Sequence, residues 1–234
     1  HTTRKLVSDY CASLRDVCLI SGGNDGVEPS ANGRMRRGTF GKVIWIILLG
    51  VSPRHPWRSL AAVLAASAWA GMSRVNWFPM PAMLAIALYL LEEPANGYRN
   101  IWSYMLKPAL WLALGMLTAI ASQSLYIYLS GNANNLSAFG SSFTSDLIWE
   151  RLWANPTYPL GVVPGILIVS APMIAFVIHA LRGRLSAWHP IRLVGLGGML
   201  VVLFAGGLVV SVKIGGGGDL HNMDAYMTLL GIVG

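Results

Sequence analysis

Three long apolar runs dominate the sequence, at residues 101–129, 160–181 and 193–212. A helix needs roughly 20 predominantly apolar residues to cross a hydrocarbon core of about 30 Å, and lipid offers no partner for an unpaired backbone amide. The runs therefore predict transmembrane helices. Only 12% of the 234 residues are charged, about half of the fraction that is usual in soluble domains, which agrees with this interpretation.

Shorter apolar segments precede these runs. Residues 57–91 form two apolar pieces divided by the polar break "SRVNW", which predicts a pair of short membrane helices. Residues 40–51 are too few to span and are flanked by basic residues, so we expect an interfacial or re-entrant helix there. Residues 1–39 are polar and rich in turn formers, which predicts a loosely ordered N-terminal arm. The predicted fold is all-α: over residues 40–234, a polytopic transmembrane helix bundle with about five membrane-embedded helices and a short interfacial helix.

The distribution of basic residues predicts an orientation. Residues 182–192 carry Arg182, Arg184 and Arg192 but no acid, and an excess of Lys and Arg is typical of cytoplasmic loops. If the helices alternate, the loop over residues 130–158 and the segment after residue 212 face the external side. The arm stays cytoplasmic if residues 40–51 do not cross. The net charge of +7 is spread over the loops between apolar runs, so we expect membrane lipid rather than nucleic acid as a partner.

The segment "VKIGGGGDLHNMDAY" over residues 212–226 carries the clearest functional pattern. Four glycines let backbone amides approach a ligand closely, and such amides at the start of a helix can hold phosphate, with Lys213 and His221 adding charge. The alternative is a flexible turn in which Asp219 caps the next helix. The candidate substrate-binding residues on this side are Arg74, Lys213, Gly215, Gly216, Gly217, Gly218, Asp219, His221, Asn222 and Asp224.

A divalent metal ion is a second hypothesis for the same segment. Asp219, His221 and Asp224 offer carboxylate and imidazole ligands, and His221 and Asp224 would share a helix face. No second cluster of ligands accompanies them, so we assign no metal site. In the preceding loop, Asp146 and Glu150 lie four residues apart among several aromatic residues. Such aromatics are typical of the interfacial belt, and they also stack on sugars.

Three segments carry a family resemblance: "AGMSRVNWFPMPAMLAIALYLLEEP", "ANPTYPLGVVPGILIVSAP" and "VVSVKIGGGGDLHNMDAY". They resemble bacterial polytopic membrane glycosyltransferases of the GT-C class, which use dolichyl- or polyprenyl-phosphate sugars. In many of these enzymes a late transmembrane helix ends in a lysine, small residues and glycines, followed by an asparagine-containing stretch, as residues 213–224 do here. The resemblance extends from about residue 37 to the C-terminus. It implies inverting sugar transfer on the external face of the bacterial inner membrane, from a lipid-linked sugar donor to a lipid, glycan or protein.

The resemblance also implies roles for residues. An external carboxylate would act as general base, and cations or amides would stabilise the departing lipid phosphate. Lys213, His221 and the glycine amides are the candidates for the second role. The class carries its catalytic acid in the first external loop, which no segment here resembles, so Asp146, Glu150 and Asp219 are the remaining candidates for the base. The last apolar run is too short to cross a membrane and the chain begins with His, so we expect a fragment of a larger enzyme or a truncated descendant that does not catalyse alone.

Two other functions compete with this interpretation. The runs "GLGGML" and "FAGGLVV" favour a non-catalytic membrane subunit that packs against partner membrane chains, because glycines let helices approach closely. The broken helices around Arg74 are typical of a transporter, in which the break marks the binding site.

Overall fold

The computed structural model describes residues 31–52, 54–73, 75–95, 98, 100–131, 146, 148–156, 159–182, 188–213 and 220–234, with only the backbone of 31–40. The α-helices of these residues are α1 (Ala31–Gly50), α2 (Pro56–Gly71), α3 (Met80–Glu92), α4 (Ile101–Ser130), α5 (Val162–Arg182), α6 (Pro190–Lys213) and α7 (Asp224–Val233). Short 3₁₀ segments occur at Val75–Trp77, Trp149–Leu152 and Leu220–Met223. The described part of the chain contains no strand, so the predicted all-α class is confirmed.

Four helical stretches are long and apolar enough to cross a membrane: Val75–Glu92, Ile101–Ser130, Val162–Arg182 and Pro190–Lys213. The last three match the three predicted spans, and the predicted pair of short helices is seen as α2 and α3. The chain is therefore a membrane-embedded helical protein. The expected number of five membrane-embedded helices is not confirmed.

Helix α3 forms the centre of the bundle, because all its residues from Met80 to Leu90 are buried. A helix that is apolar on every side suits a protein core or a membrane span, and α3 is covered by other helices. Its neighbours α2 and α4 come close through small residues: a Cβ on Gly115 would lie 3.0 Å from Ala82 Cβ and 3.0 Å from Ser67 Oγ. Small residues of this kind let membrane helices approach one another.

The carboxyl end of α3 is held by side chains from α4 and α6. Arg192 donates through Nε to Leu90 O and through Nη2 to Leu91 O, the latter at 2.8 Å. Tyr104 Oη donates to Glu93 O at 3.0 Å. The last carbonyls of a helix have no donor within the helix, so these contacts satisfy them and join α3 to the starts of α4 and α6.

These contacts define two ends of the bundle. Helices α2, α4 and α6 run in one direction and α3 returns between them. We call the end at which α2, α4 and α6 finish the Lys213 end, and the end at which they begin the Arg192 end.

Helix α1 packs lengthwise against α2 in the opposite direction. Lys42 Nζ lies 5.0 Å from the centroid of the Trp69 ring, and Arg58 Nη2 donates to Leu49 O at 2.6 Å. Lys42, just past the middle of α1, thus lies beside the end of α2, while Leu49 lies beside the start of α2. Helix α1 therefore begins at the Lys213 end.

This packing bears on two predictions from the sequence. Val43 and Ile47 are buried along the bundle, so the expected interfacial helix over residues 40–51 is not confirmed. The orientation argument placed the arm and the 212–226 segment on opposite sides of the membrane, whereas α1 joins the arm to the bundle at the Lys213 end. The cytoplasmic location of the arm is likewise not confirmed.

The placement of α1 predicts a labelling pattern in sealed vesicles. Cys11 and Cys18 of the arm are the natural cysteines. We expect them to react with a membrane-impermeant maleimide from the same side as Asp146→Cys, because α1 starts at the Lys213 end. Arg182→Cys, at the Arg192 end, should react from the opposite side. Both reporter variants are made with Cys11 and Cys18 changed to Ser, and labelling of the arm together with Arg182→Cys would contradict the observed α1–α2 packing.

Candidate functional site

The loop before α5 is seated on the end of α6. Ile148 N donates to Val212 O at 3.3 Å, and Arg151 Nη1 donates to the same oxygen at 3.4 Å. Carbonyls at a helix C-terminus lack partners within the helix, and a cation there interacts favourably with the helix dipole. The loop that carries Glu150 is therefore tied to the residue before Lys213.

The loop is also closed by its own contacts. Asn155 Nδ2 donates to Glu150 O at 2.7 Å and to Trp153 O at 3.1 Å. Gly161 has φ +72°, and a Cβ there would lie 2.5 Å from the carbonyl carbon of Trp153. Only glycine takes this conformation without strain and permits this approach. The described residues 148–156 of the loop thus have a defined conformation, with the Glu150 side chain exposed on them.

A second element, Leu220–Met223, packs against α5 and α6 at the same end. A Cβ on Gly207 would lie 2.6 Å from Met223 Sδ and 3.0 Å from Asn222 O. A Cβ on Gly165 would lie 3.4 Å from Leu220 Cδ2. Glycines on both helices therefore let the segment "LHNM" approach closely enough to be largely buried.

Asn222 is the most enclosed polar residue of that segment. It is 6% exposed, and its Nδ2 has no hydrogen-bond partner within the part of the chain that the structure describes. An unpaired buried amide costs about 1–3 kcal/mol. A polar group kept at that cost is a candidate for binding. His221 and Asp224 flank it and are half-buried, as is Lys213.

The structure thus brings several predicted site residues to one end of the bundle. Glu150, Lys213, His221, Asn222 and Asp224 all lie at the Lys213 end, and Asp146 is exposed there. The remaining predicted residues lie outside the described residues: Arg74, Gly215, Gly216, Gly217, Gly218 and Asp219. The anion-binding loop and the capped turn both stay predictions.

The metal hypothesis gains no further ligands. Within the described ranges, no three His, Cys, Asp or Glu side chains are grouped so that they could hold an ion. Asp219, which the hypothesis requires, lies outside those ranges, so a divalent metal ion stays a prediction.

Sequence reasoning missed the residues that fix the loop. The acceptor of Arg151 lies 61 positions later in the chain, and no local pattern signals such a contact. Gly161 carried a readable signal, since it lies at the start of the predicted span 160–181 and a glycine at a helix boundary often marks a constrained turn. The loop exposes Trp149 and Trp153, which are 60% and 61% accessible. Their position at the end of a membrane-length helix suits the interfacial belt, and it also leaves both rings free to stack on a sugar.

No protein-family model, curated protein or solved structure matches the chain. The chemistry of the Lys213 end therefore has to be argued from its own side chains. These offer an exposed carboxylate at Glu150, cations at Arg151 and Lys213, and a buried amide at Asn222. Such a set suits an anionic ligand whose reaction also needs a proton acceptor.

The seating of the loop predicts different costs for two glycine substitutions. Gly131 and Gly161 both have positive φ, but a Cβ on Gly131 would meet nothing within 4 Å. We expect Gly131→Ala to lower the free energy of unfolding by about 1–2 kcal/mol, from backbone conformation alone. Gly161→Ala should lower it by about 2–5 kcal/mol, because the overlap with Trp153 is added. Denaturant unfolding in detergent measures both values, and equal costs would show that Gly161 does not lie against the backbone of Trp153.

Proposed function

We propose that the chain is part of a glycosyltransferase that moves a sugar from a lipid-phosphate donor to an acceptor on the external face of the bacterial inner membrane. The observation that carries the proposal is the convergence of Glu150, Arg151, Lys213 and Asn222 at one end of a membrane-embedded bundle. A lipid-linked donor presents its phosphate and sugar at the membrane surface, where the ends of the helices lie. The family resemblance of residues 209–226 supports the same assignment.

The proposed reaction needs a base and an anion site. An acceptor hydroxyl attacks the anomeric carbon of the sugar, the bond from that carbon to the phosphate oxygen breaks, and the lipid phosphate leaves. Glu150 takes the proton of the attacking hydroxyl, as a positioned general base does. Lys213 and His221 stabilise the charge on the departing phosphate, as preorganised donors do.

Glu150 is a better candidate for the base than Asp146. Both side chains are exposed. Glu150, however, lies in the 3₁₀ segment Trp149–Leu152, and the side chain of Asn155 donates a hydrogen bond to its backbone carbonyl. Its neighbour Arg151 contacts the end of α6. A catalytic group has to be held in position to be effective, and these contacts provide that support.

The proposal predicts the effect of removing the Glu150 charge. Glu150→Gln should lower sugar transfer by about 10²–10⁴-fold, the usual contribution of a general base. Lys213→Met should lower it as well, through weaker stabilisation of the phosphate. The assay measures transfer of labelled hexoses from polyprenyl phosphate to membrane acceptors in detergent.

The matched control is Glu92→Gln, an exposed carboxylate at the Arg192 end, which should leave transfer unchanged. Membrane abundance of each variant is measured alongside by immunoblot. Full transfer by Glu150→Gln at normal abundance would remove Glu150 from the mechanism. The absence of any transfer by the natural chain would count against the enzyme and favour the second candidate.

The second candidate function is a non-catalytic subunit bound to other membrane chains. After its first residue, Pro190, the exposed positions of α6 carry only small or β-branched residues, namely Val194, Gly197, Gly198, Val201, Val202, Ala205, Gly206 and Val209. A Cβ on Gly197, Gly198 or Gly206 would meet nothing within 4 Å. The exposed faces of α4 and α5 instead carry large residues such as Leu117 and Phe176. A flat surface of small residues favours contact with another helix.

This candidate predicts that bulky residues on α6 release a partner chain. Gly198→Leu and Gly206→Leu should reduce co-purification of a partner in mild detergent, because they fill the surface on which its helix would rest. Ala175→Leu, on the exposed face of α5, is the control and should leave co-purification unchanged. Native gel electrophoresis gives the size of each complex, and a monomer for the natural chain would rule this function out.

A further inference from the structure

The turn between α1 and α2, at the Arg192 end, presents a basic and aromatic surface. Arg54, His55, Pro56, Trp57 and Arg58 are all exposed, and Trp57 is 82% accessible. The last four line an open pocket of about 470 Å³. This surface lies at the opposite end of the bundle from the proposed transfer site and plays no part in that function.

The turn is held in a fixed conformation by a buried serine. Ser59 is fully buried, and its Oγ accepts from Ser52 N at 2.9 Å. The same oxygen lies 2.9 Å from Ser52 O and 3.2 Å from His55 O. His55 N in turn donates to Ser52 O at 3.2 Å. The backbone that carries the basic side chains is therefore ordered before any ligand arrives, which lowers the entropy cost of binding.

Arg58 is positioned across the hairpin. One of its five N–H donors, on Nη2, is used on Leu49 O, and the side chain nevertheless remains exposed. The guanidinium of Arg58 is thus held beside the pocket, and its remaining N–H groups stay exposed for a ligand. A planar guanidinium with several donors matches the oxygens of a phosphate.

The charge around this pocket has one sign. Residues 29–91 contain no Asp or Glu, while Arg54 lies in the turn and Arg58 in the first turn of α2. The acids at the same end, Glu92 and Glu93, are not among the residues that line the pocket, and Glu93 accepts a hydrogen bond from Tyr98 at 3.4 Å. The arginines therefore attract an anion near the turn, and no carboxylate among the lining residues repels it.

The surroundings of the pocket select the type of anion. Leu49 and Trp45 are exposed on α1 next to the turn, at 62% and 42% accessibility, on a helix that packs lengthwise in a membrane-embedded bundle. Trp57 adds an exposed indole of the kind enriched at the level of lipid headgroups. A ligand at this position has an apolar part along α1 and a phosphate at the turn. Anionic phospholipids have both.

We propose that Arg54, His55, Trp57 and Arg58 bind the headgroup of an anionic phospholipid. The phosphate contacts the guanidinium groups, the indole of Trp57 lies among the headgroups, and an acyl chain follows the exposed side of α1. Basic clusters beside membrane helices attract anionic lipids with about 1 kcal/mol per charge, which sets the size of the expected effects.

The test measures binding of phosphatidylglycerol and phosphatidylcholine to the full chain in mixed micelles by native mass spectrometry. The natural chain should retain phosphatidylglycerol more tightly than phosphatidylcholine. Arg54→Gln should weaken retention of phosphatidylglycerol about fivefold and the double variant Arg54→Gln/Arg58→Gln about thirtyfold. Arg54→Gln keeps the bond from Arg58 to Leu49, so its effect does not depend on that contact. Circular dichroism confirms that each variant is folded.

The matched control is Arg182→Gln, an exposed arginine at the same end of the bundle but on α5, away from the segment that carries Arg54 and Arg58. It should leave retention of phosphatidylglycerol within about twofold of the natural chain. Equal retention of the two lipids by the natural chain would overturn the proposal, as would an effect of Arg182→Gln as large as that of Arg54→Gln. Displacement of phosphatidylglycerol by an equal concentration of inorganic phosphate would show a site for free anions and would overturn it too.

Discussion

The complete burial of helix α3 is the constraint on which the rest of the bundle depends. Eleven consecutive residues, Met80 to Leu90, are buried, so other helices must cover every side of α3. Helix α4 approaches Ala82 of α3 at Gly115, and α2 and α4 approach each other at Gly71 and Gly115. Arg192 of α6 closes the carboxyl end of α3. The positions of α4 and α6 are thereby fixed, and their outer faces are left for lipid or for other chains.

The geometry of the candidate site follows from that arrangement. Since Arg192 fixes the start of α6, the end of this helix about 35 Å away also has a defined position in the bundle. The carbonyl of Val212 at that end accepts two hydrogen bonds from the loop that carries Glu150. The segment that carries Asn222 packs closely against Gly207. The polar residues thus rest on a rigid helix, which is the condition for a precise site.

The sequence predicts those features that depend on length and hydropathy alone. The three predicted spans are membrane-length helices because nothing else satisfies their backbone in lipid, whereas the sequence predicts the fourth membrane-length stretch, Val75–Glu92, only as one of a pair of short helices. The lengthwise packing of α1 could not be predicted, since a run of a dozen apolar residues suits either arrangement and its partners Trp69 and Arg58 occur later in the chain. For the candidate site, the assumption that successive helices cross the membrane in alternating directions already predicts Glu150 and Lys213 at the same end. The contact of Arg151 with Val212 joins distant positions, and only the fold reveals it.

The position of α1 also changes what the basic residues imply about orientation. The sequence argument set the arginines of residues 182–192 on the cytoplasmic side together with the arm. In the structure, α1 begins at the opposite end of the bundle, so its basic positions Arg34, Arg36, Arg37 and Lys42 belong to the Lys213 end. Both ends then carry several Lys and Arg residues, and the positive-inside bias no longer selects one orientation. The case for a transferase therefore rests on the convergence of a carboxylate, cations and a buried amide at one end, which holds whichever way the bundle crosses the membrane.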